Sequence, residues 1–184
     1  MTVGVLALQG DVREHINLID SLGFTSISVK TKNDLDRADA LVIPGGESTA
    51  ISKLLVAFEL MESVRQFVRN KPVLGTCAGL ILLSDEVDGK LPDQELIGGL
   101  PIRVSRNAYG GQTHSFEAEI EISGERENVA FIRAPRILDS GPTRVLATLD
   151  GDPVAIQHGK IFGASFHPEL TGAKVLHRLF LDAI

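Results

Sequence analysis

The fold is decided by the stretch that reads Pro-Val-Leu-Gly-Thr-Cys-Ala-Gly-Leu-Ile-Leu-Leu at residues 72–83. Residues 72–75 predict a short buried strand, and the apolar residues after Gly79 predict a helix that runs to Leu83. Cys77 lies between the two in a Gly-x-Cys-x-Gly pattern, the cysteine counterpart of the Gly-x-Ser-x-Gly nucleophile elbow. A strand that leads directly into a helix is the unit from which parallel α/β sheets are built.

Short apolar runs and amphipathic segments alternate through the first half of the chain. The first predicted helix has its apolar residues at helical spacing, Val12, Ile16, Ile19 and Leu22, and Gly23 follows at its end. The alternation predicts a three-layer α/β/α fold, in which helices cover both faces of a mostly parallel central sheet. The elements predicted in this half are strands at 3–8, 26–30 and 40–43, and helices at 12–22 and 48–69, the second with a break near its middle.

The second half of the chain is dominated by short predicted strands. The pairs Asp150-Gly151 and His158-Gly159 predict hairpin turns between the last three of them. A closing helix is predicted at 172–182. Because the sequence has neither an internal repeat nor a linker-like stretch, we expect a single domain over residues 1–184. The strands predicted in this half are at 102–105, 115–122, 129–132, 145–149, 153–157 and 160–164.

Composition excludes several classes of protein. The chain has 184 residues, 43% hydrophobic and 23% charged, as in soluble globular proteins. A net charge of −6 with scattered basic residues argues against a nucleic-acid partner. No apolar stretch approaches the roughly 20 residues that span a bilayer, and the N-terminus lacks the pattern of a signal peptide. We therefore expect a soluble, cytoplasmic protein without a membrane partner.

Cysteine and histidine usage narrows the chemistry. Cys77 is the single cysteine, so no intrachain disulfide can form. The five histidines are scattered and lack the His-Glu-x-x-His pattern of a zinc site, so neither a metal nor another cofactor is expected.

Polar segments follow three of the predicted strands: Gln9-Gly10, Gly45-Gly46-Glu47-Ser48 and Cys77. Ligand sites in open α/β sheets form at the carboxyl ends of the strands, so these segments predict a site at one sheet edge. Consecutive glycines let backbone N–H groups approach an oxyanion, and Ser48 is predicted to cap the following helix. Taken alone, the glycine segment fits a capped turn without a ligand equally well.

The segment Phe166-His167-Pro168-Glu169 offers what a cysteine nucleophile needs. A thiolate requires a base and a group that orients the base, and His167 with Glu169 supplies both. The N-terminus of the helix after Cys77 favours the thiolate form. Singly, Cys77 also fits a buried apolar residue, and His167 beside Glu169 fits a surface pair. The glycine frame and the positions after strands favour the catalytic interpretation.

Three segments resemble class I glutamine amidotransferases: Gly-Thr-Cys-Ala-Gly-Leu at 75–80, Pro-Gly-Gly-Glu-Ser-Thr at 44–49 and Ser-Phe-His-Pro-Glu-Leu at 165–170. Further segments resemble the glutaminase subunits of pyridoxal 5'-phosphate synthases within that family. These are Leu-Gln-Gly at 8–10 with Val-Arg-Glu-His at 12–15, Ser-Arg-Asn-Ala-Tyr-Gly at 105–110 and Phe-Ile-Arg-Ala-Pro at 131–135. The resemblance spans nearly the whole chain in the family's order and implies the flavodoxin-like class I glutamine amidotransferase fold.

The resemblance also implies a reaction and a partner. Cys77 would attack the side-chain amide of L-glutamine to give a thioester, with His167 moving protons and Glu169 orienting it. Backbone N–H groups of Gly46 and Ala78 would form the oxyanion hole. The ammonia would pass to the synthase subunit of pyridoxal 5'-phosphate synthase in a hetero-oligomer. The residues implied in holding the substrate are Gly46, Glu47, Ser48, Arg106, Ile132 and Arg133.

Two arginines of that set have an alternative interpretation. Arg106 and Arg133 could be solvated surface charges, the usual state of arginine. An amino-acid substrate does need a partner for its carboxylate, so an arginine in the site is chemically reasonable. The sequence departs from the family pattern at Gly111, where an arginine is expected, and at His114, where an acidic residue is common. We expect these departures to affect the rim of the site or the partner contact rather than the triad.

Three other functions compete with this interpretation. The glutaminase subunit of imidazole glycerol phosphate synthase would share the triad but should lack Leu8-Gln9-Gly10 and the Arg106 segment. A stand-alone Cys-His hydrolase or peptidase would turn over glutamine strongly without a partner. A non-enzymatic binding module of the same fold is disfavoured because Cys77, His167 and Glu169 are all present.

Overall fold

The computed structural model of the chain describes residues 1–106 and 115–184. The strands in these ranges are β1 (Thr2–Leu6), β2 (Thr25–Val29), β3 (Ala40–Ile43), β4 (Val73–Thr76), β5 (Ser84–Asp88), β6 (Leu100–Ser105), β7 (Phe116–Ile122), β8 (Glu125–Phe131), β9 (Arg136–Asp139), β10 (Arg144–Leu149), β11 (Asp152–His158) and β12 (Ile161–Ala164). The helices in the same ranges are α1 (Val12–Ser21), α2 (Lys32–Asp36), α3 (Ser48–Ala57), α4 (Met61–Asn70), α5 (Ala78–Leu83), α6 (Pro168–Thr171) and α7 (Val175–Leu181).

The central sheet of the described residues has the strand order β10-β11-β12-β4-β3-β1-β2. Its five strands from β12 to β2 are parallel, whereas β10 and β11 pair antiparallel at one edge. The predicted hairpin turn at Asp150-Gly151 is confirmed: both residues have positive φ, 52° and 89°, as a two-residue turn of type I′ requires. The prediction of a mostly parallel sheet is likewise confirmed.

Two hydrophobic cores lie on the two faces of this sheet. Neighbouring side chains of a strand point to opposite faces, and β3 shows the consequence most simply. Ala40 and Val42 belong to the core that includes residues of α1 and α7, whereas Leu41 and Ile43 belong to the core that includes residues of α3, α4 and α5. Because β3 is buried on both faces, its sequence is continuously apolar, as in parallel sheets covered by helices.

The long helix predicted at 48–69 is divided into α3 and α4. The break is at Glu59, whose φ of 56° is left-handed and cannot continue a helix. Helix α4 then buries Met61, Val64, Phe67 and Val68 at helical spacing. Within residues 1–106 and 115–184, no helix has the length and apolar character needed to cross a membrane.

Four short elements were not predicted from the sequence: α2, β5, β9 and α6. Helix α2 does carry a signal, because Thr31 and Asp34 form a reciprocal capping box at its start. Strand β5 has no apolar pattern, and it forms by parallel pairing with β6, which in turn pairs antiparallel with β9. These three strands form a second sheet, and β7 pairs with β8 as a hairpin.

Candidate active site

Cys77 lies in a strained turn between β4 and α5. Its φ of 46° and ψ of −99° are unusual for a residue with a side chain, and such strain is found mainly at functional sites. The backbone N–H of Cys77 donates to the carbonyl of Ala164 at 2.8 Å, which fixes the turn to the end of β12. The two glycines of the pattern allow this packing. A Cβ on Gly75 would lie 2.6 Å from the carbonyl carbon of Gly79, and one on Gly79 would overlap the carbonyl oxygen of Ile43.

The Cys77 side chain is buried except for 5% of the residue surface. Its Sγ lies 3.7 Å from the carbonyl oxygen of Ile132, and Cys77 and His167 line the same cavity, where the thiol helps to raise the pKa of the His167 ring. The strand-to-helix turn and the segment after β12 therefore bring the predicted nucleophile and its predicted base together.

His167 is held by backbone and side-chain contacts. Its N–H donates to the carbonyl of Ala130 at 2.8 Å, as part of a bridge to the end of β8. Its Nδ1 lies 2.8 Å from Glu169 Oε1 and 3.3 Å from Asp11 Oδ2. The ring fits closely against Gly45, where any Cβ would overlap it.

The partners of His167 control its protonation. Burial alone would lower the pKa of His167, but hydrogen bonds to Asp11, Cys77 and Glu169 outweigh burial and raise that pKa. The imidazolium form of His167 is thus favoured beside Cys77, and a cationic neighbour is what activates cysteine nucleophiles in general.

Glu169 lies in the first turn of α6, behind His167. Burial raises the pKa of Glu169, although the hydrogen bond with His167 acts in the opposite direction. Its Oε1 contacts His167, whereas the buried Oε2 makes no hydrogen bond within the described residues. Glu169 is therefore placed to orient His167 rather than to touch a substrate.

The expectation that Ser48 caps α3 is wrong. Glu47 is the capping residue, and its two carboxylate oxygens accept from the N–H groups of Thr49 at 3.0 Å and Ala50 at 2.6 Å. A carboxylate one residue earlier reaches these donors and also complements the helix dipole. Burial would raise the pKa of Glu47, but these two hydrogen bonds and Arg106 lower it below the ordinary value. Ser48 Oγ instead accepts from Gln94 Nε2 at 3.2 Å.

The Arg106 side chain lies over the start of α3. Its guanidinium donates to Glu47 Oε1 at 3.0 Å and to Thr49 Oγ1 and Gln94 Oε1, each at 3.2 Å. The side chain is 19% exposed, so it is not a solvated surface charge. Arg133, by contrast, is exposed and has a positive φ of 46° at the end of β8.

A cavity of about 350 Å³ opens in front of Cys77 and His167. It is of the size that small-molecule sites usually have. Ala78 and Glu169 do not line it: Ala78 is buried at the start of α5, and Glu169 lies behind His167. The positions Gly111 and His114, and residues 107–110 of the segment that begins at Ser105, lie outside the described residues. Eight of the residues predicted for the site line the cavity, namely Gly46, Glu47, Ser48, Cys77, Arg106, Ile132, Arg133 and His167.

Two residues of this site, Asp11 and Gln94, were not predicted from the sequence, and Gln9 was predicted at this sheet edge without a defined contact. Asp11 contacts His167, Gln9 Oε1 accepts from the Glu47 N–H at 2.9 Å, and Gln94 connects Ser48 to Arg106. Gln9 and Asp11 follow β1 at the same sheet edge as Cys77, and that position was a signal for their involvement. Gln94 lies in a loop, and nothing in its sequence neighbourhood indicates the site.

Asp11, His167 and Glu169 are also the described residues whose ligand atoms lie close enough to hold a metal, all within 4.8 Å of one another. The Nδ1 of His167 already contacts both carboxylates. A metal there would displace the contacts that orient His167 beside Cys77. We assign the group to acid–base chemistry.

The parallel sheet, with a cysteine turn and a His-x-Glu segment at its carboxyl edge, defines the class: an α/β protein with the class I glutamine amidotransferase fold. A family profile matches residues 5–184, and the chain belongs to that family, the SNO glutamine amidotransferase family.

Relatives match over nearly the full chain. A protein of Frankia casuarinae named pyridoxal 5'-phosphate synthase subunit PdxT is 47% identical, with 99% of this chain and 94% of the relative covered. A protein of the same name from Thermoplasma volcanium is 45% identical, with the same coverage. These similarities confirm the resemblance that the sequence segments indicated.

Solved structures agree with the fold. A crystal structure of a glutamine amidotransferase superposes with a TM-score of 0.92 at 44% identity, covering 98% of this chain and 97% of that one. The structure of PurLQS from Thermotoga maritima superposes with a TM-score of 0.70 at 16% identity over 98% of this chain and 97% of that one. At that identity the second similarity concerns the fold alone.

Proposed function

We propose that this chain is the glutaminase subunit of a pyridoxal 5'-phosphate synthase. It hydrolyses L-glutamine to L-glutamate and ammonia, and the ammonia passes to a synthase subunit that makes pyridoxal 5'-phosphate from ribose 5-phosphate and glyceraldehyde 3-phosphate. The observation that carries the proposal is the strained Cys77 turn that meets His167 at one cavity, with Glu169 behind the His167 ring. The full-length similarity to proteins named as subunits of that synthase supports the choice of partner.

The first half-reaction forms a thioester. The Cys77 thiolate attacks the side-chain amide carbon of glutamine, and the carbonyl π electrons move onto oxygen. The resulting oxyanion is stabilised by backbone N–H groups, for which Gly46 and Ala78 are the candidates. Collapse of the intermediate breaks the C–N bond, and the His167 imidazolium gives its proton to the departing nitrogen, which leaves as ammonia.

The second half-reaction returns the enzyme to its first state. Once the thioester forms, the thiolate charge that helps to raise the pKa of His167 is gone. His167, which has given its proton to the departing nitrogen, is then held less strongly in its charged form and acts as a base towards water. Water attacks the thioester carbon, glutamate leaves, and the proton removed from water stays on His167 beside the regenerated thiolate. Atoms balance: glutamine and water give glutamate and ammonia.

Opposite charges in the cavity fit the two ends of an amino acid. Glu47 and Arg106 face each other at 3.0 Å, so a ligand with one ammonium and one carboxylate can exchange this internal pair for contacts of its own. Arg133 offers a second cation at the cavity. Both features support glutamine rather than a peptide as the substrate.

The glycines at 45–46 offer a means by which a partner could be coupled to the site. The carbonyl of Gly45 accepts from the N–H of Asp11 at 3.1 Å, which holds the Gly45–Gly46 peptide in one orientation. Rotation of that peptide would exchange the groups that it presents to the cavity. We propose that the synthase subunit binds the face that carries Gly10, Gly46 and Cys77 and selects the active orientation.

A glutaminase assay with and without the synthase subunit tests the proposal. We expect weak glutamate release from the chain alone and stimulation by roughly 10²–10³ on addition of the subunit, the effect of gaining one oxyanion donor. Equal and high rates in both would favour a stand-alone hydrolase. Glutamine turnover absent in both would refute the glutaminase assignment.

A further inference from the structure

Two buried histidines lie behind the proposed triad and have no part in the reaction described above. His15 is on α1 and His177 is on α7, and neither has any exposed surface. The His15 Nδ1 and the His177 Nε2 are 3.0 Å apart, so one of them donates to the other. Neither histidine is among the described residues that line the cavity.

The second nitrogen of His15 faces the active site. Its Nε2 lies 3.1 Å from the hydroxyl oxygen of Thr76, the residue before Cys77, and 3.4 Å from Glu169 Oε2. That oxygen is the buried carboxylate atom that makes no standard hydrogen bond within the described residues. The contact is longer than an ordinary hydrogen bond, as catalytic contacts in ligand-free enzymes often are.

Both histidines are neutral. Burial lowers the pKa of His177 to about 3, and burial, with His177 and His167 nearby, lowers the pKa of His15 well below its ordinary value. A neutral imidazole has one N–H and one lone pair, so the hydrogen bond between the rings decides the tautomer of both.

Of the two arrangements, one fits the surroundings better. If His15 Nδ1 donated to His177 Nε2, the proton of His177 would sit on Nδ1, which is buried and has no partner among the described residues. The lone pair of His15 would then face the Glu169 carboxylate. If His177 Nε2 donates instead, only a lone pair is left unpaired, and the N–H of His15 points to Thr76 and Glu169. A buried unpaired donor and a lone pair against a carboxylate both cost free energy, so the second arrangement is favoured.

We propose that His15 is a positioning residue for Glu169, and that His177 fixes the tautomer in which the His15 Nε2–H faces Glu169 Oε2. The proposal rests on the proposed glutaminase function. Each carboxylate oxygen of Glu169 would thus contact one histidine. His167 lies on the cavity side of the carboxylate, and His15 holds the carboxylate from the opposite side. The contact joins α1 and the C-terminal helix to the triad.

Loss of the N–H should act on turnover rather than on substrate binding. A buried carboxylate that loses a donor is protonated at higher pH, and a protonated Glu169 no longer supports the His167 imidazolium. Besides His15, the titratable groups that face Glu169 are His167 and Asp11, which every variant below retains. The acid limb of the pH–kcat profile should therefore move to higher pH.

The decisive variants are His15→Leu and His15→Gln, assayed with the synthase subunit present. Leu removes the donor, whereas the side-chain amide of Gln can present an N–H near the position of Nε2. We expect His15→Leu to lower kcat on the order of 10- to 100-fold, as for a lost hydrogen bond to a charged group, with KM within about twofold of wild type. His15→Gln should restore most of kcat and return the acid limb to the wild-type pH.

A purely structural role for His15 gives a different result. It would lower the melting temperature of His15→Leu but leave kcat per folded enzyme and the acid limb unchanged, and that outcome overturns the proposal. Equal acid limbs in folded His15→Gln and His15→Leu overturn it as well. If the wild type itself has no glutaminase activity, the proposed function fails instead.

Long-range ¹H–¹⁵N spectra of the wild-type protein test the tautomers without any variant and without activity. We expect both His15 and His177 to carry the proton on Nε2. A His15 ring protonated on Nδ1 would overturn the proposal even if His15→Leu did not fold.

Discussion

His167 and the His15–His177 pair lie in one buried cluster, yet their pKa values are shifted in opposite directions. His167 contacts two carboxylates and shares the cavity with the Cys77 thiol, and its pKa is raised. His177 contacts one neutral ring, and its pKa is lowered to about 3. Because burial alone disfavours the charged form of all three, the partners decide which ring is charged.

This difference in protonation gives the histidines of one cluster two different roles. The ring at the cavity holds a mobile proton next to the nucleophile, and the rings behind it supply fixed N–H dipoles. Glu169 lies between the two and contacts His167 on one oxygen and His15 on the other.

Removing the thiolate should have the largest effect. Cys77→Ser leaves a hydroxyl that stays protonated, so we expect glutaminase turnover to fall to background, on the order of 10⁵-fold or more. Circular dichroism and the melting temperature should remain close to wild type. A fully active serine variant, or labelling of some other residue by a glutamine analogue that alkylates active-site thiols, would contradict the assignment of Cys77.

Removing the base and its carboxylates should give a graded series. We expect His167→Asn to be nearly as inactive as Cys77→Ser, and Glu169→Gln to lose on the order of 10³–10⁴ in kcat. Asp11 lies 3.3 Å from His167, so we expect it to hold the ring in part when Glu169 is lost, and Asp11→Asn with Glu169→Gln should approach His167→Asn. If the double variant equals Glu169→Gln alone, Asp11 has no part in holding the base.

Replacing one glycine should affect the oxyanion donor without touching the ionised groups. A Cβ on Gly46 would lie 2.5 Å from Gln9 Oε1, and the residue has a φ of 150°. Gly46→Ala should therefore displace its peptide and lower partner-stimulated turnover by roughly 10²–10³. Gly124→Ala is the matched control, since Gly124 also has positive φ, 92°, but open space around its Cβ position. If Gly124→Ala lowers kcat as much as Gly46→Ala does, backbone strain rather than loss of the oxyanion donor is responsible for the lower kcat.

The sequence predicted the sheet and the segments at its edge, but not the contacts between them. Cys77 and His167 were recognisable because their neighbours follow strand-to-helix and strand-end patterns. Glu47 was predicted as a substrate contact, yet its capping of α3 was attributed to Ser48, because both residue types cap helices and only the backbone position decides between them. The single domain over residues 1–184 and the roles of the site residues stay predictions.

The interior histidines show what a sequence pattern cannot reveal. The sequence presents His15 only within a segment that resembles the family, and it carries no signal for His177. They are separated by 162 positions, and their pairing depends on how α1 and α7 pack against the same face of the sheet. Linear spacing carries no information about such a contact, whereas His167 and Glu169 are two residues apart.

The smallest expected effect concerns the neutral His15–His177 pair, and it appears in stability rather than in turnover. The pKa of His177 is about 3 in the folded chain, below the ordinary value of 6.5. Above pH 6.5 neither the folded nor the unfolded state holds this proton, so the titration of His177 does not lower the free energy of unfolding there. As pH falls from 6.5 towards 3, the unfolded chain takes up the proton and the folded chain does not, so the free energy of unfolding decreases by up to about 1.4 kcal/mol per pH unit.

His177→Gln keeps an N–H donor for His15 but cannot titrate, so its unfolding free energy should fall less steeply between pH 6 and pH 4, by up to about that slope. His158→Gln controls for the loss of a histidine, because His158 is exposed at the end of β11. Urea unfolding of the three proteins across this range measures the slopes, and carboxylates that titrate alike in all three cancel in the comparison. A His177→Gln slope that matches the wild type would show that the pair is not buried in its neutral form, and the contrast with His167 would then be lost.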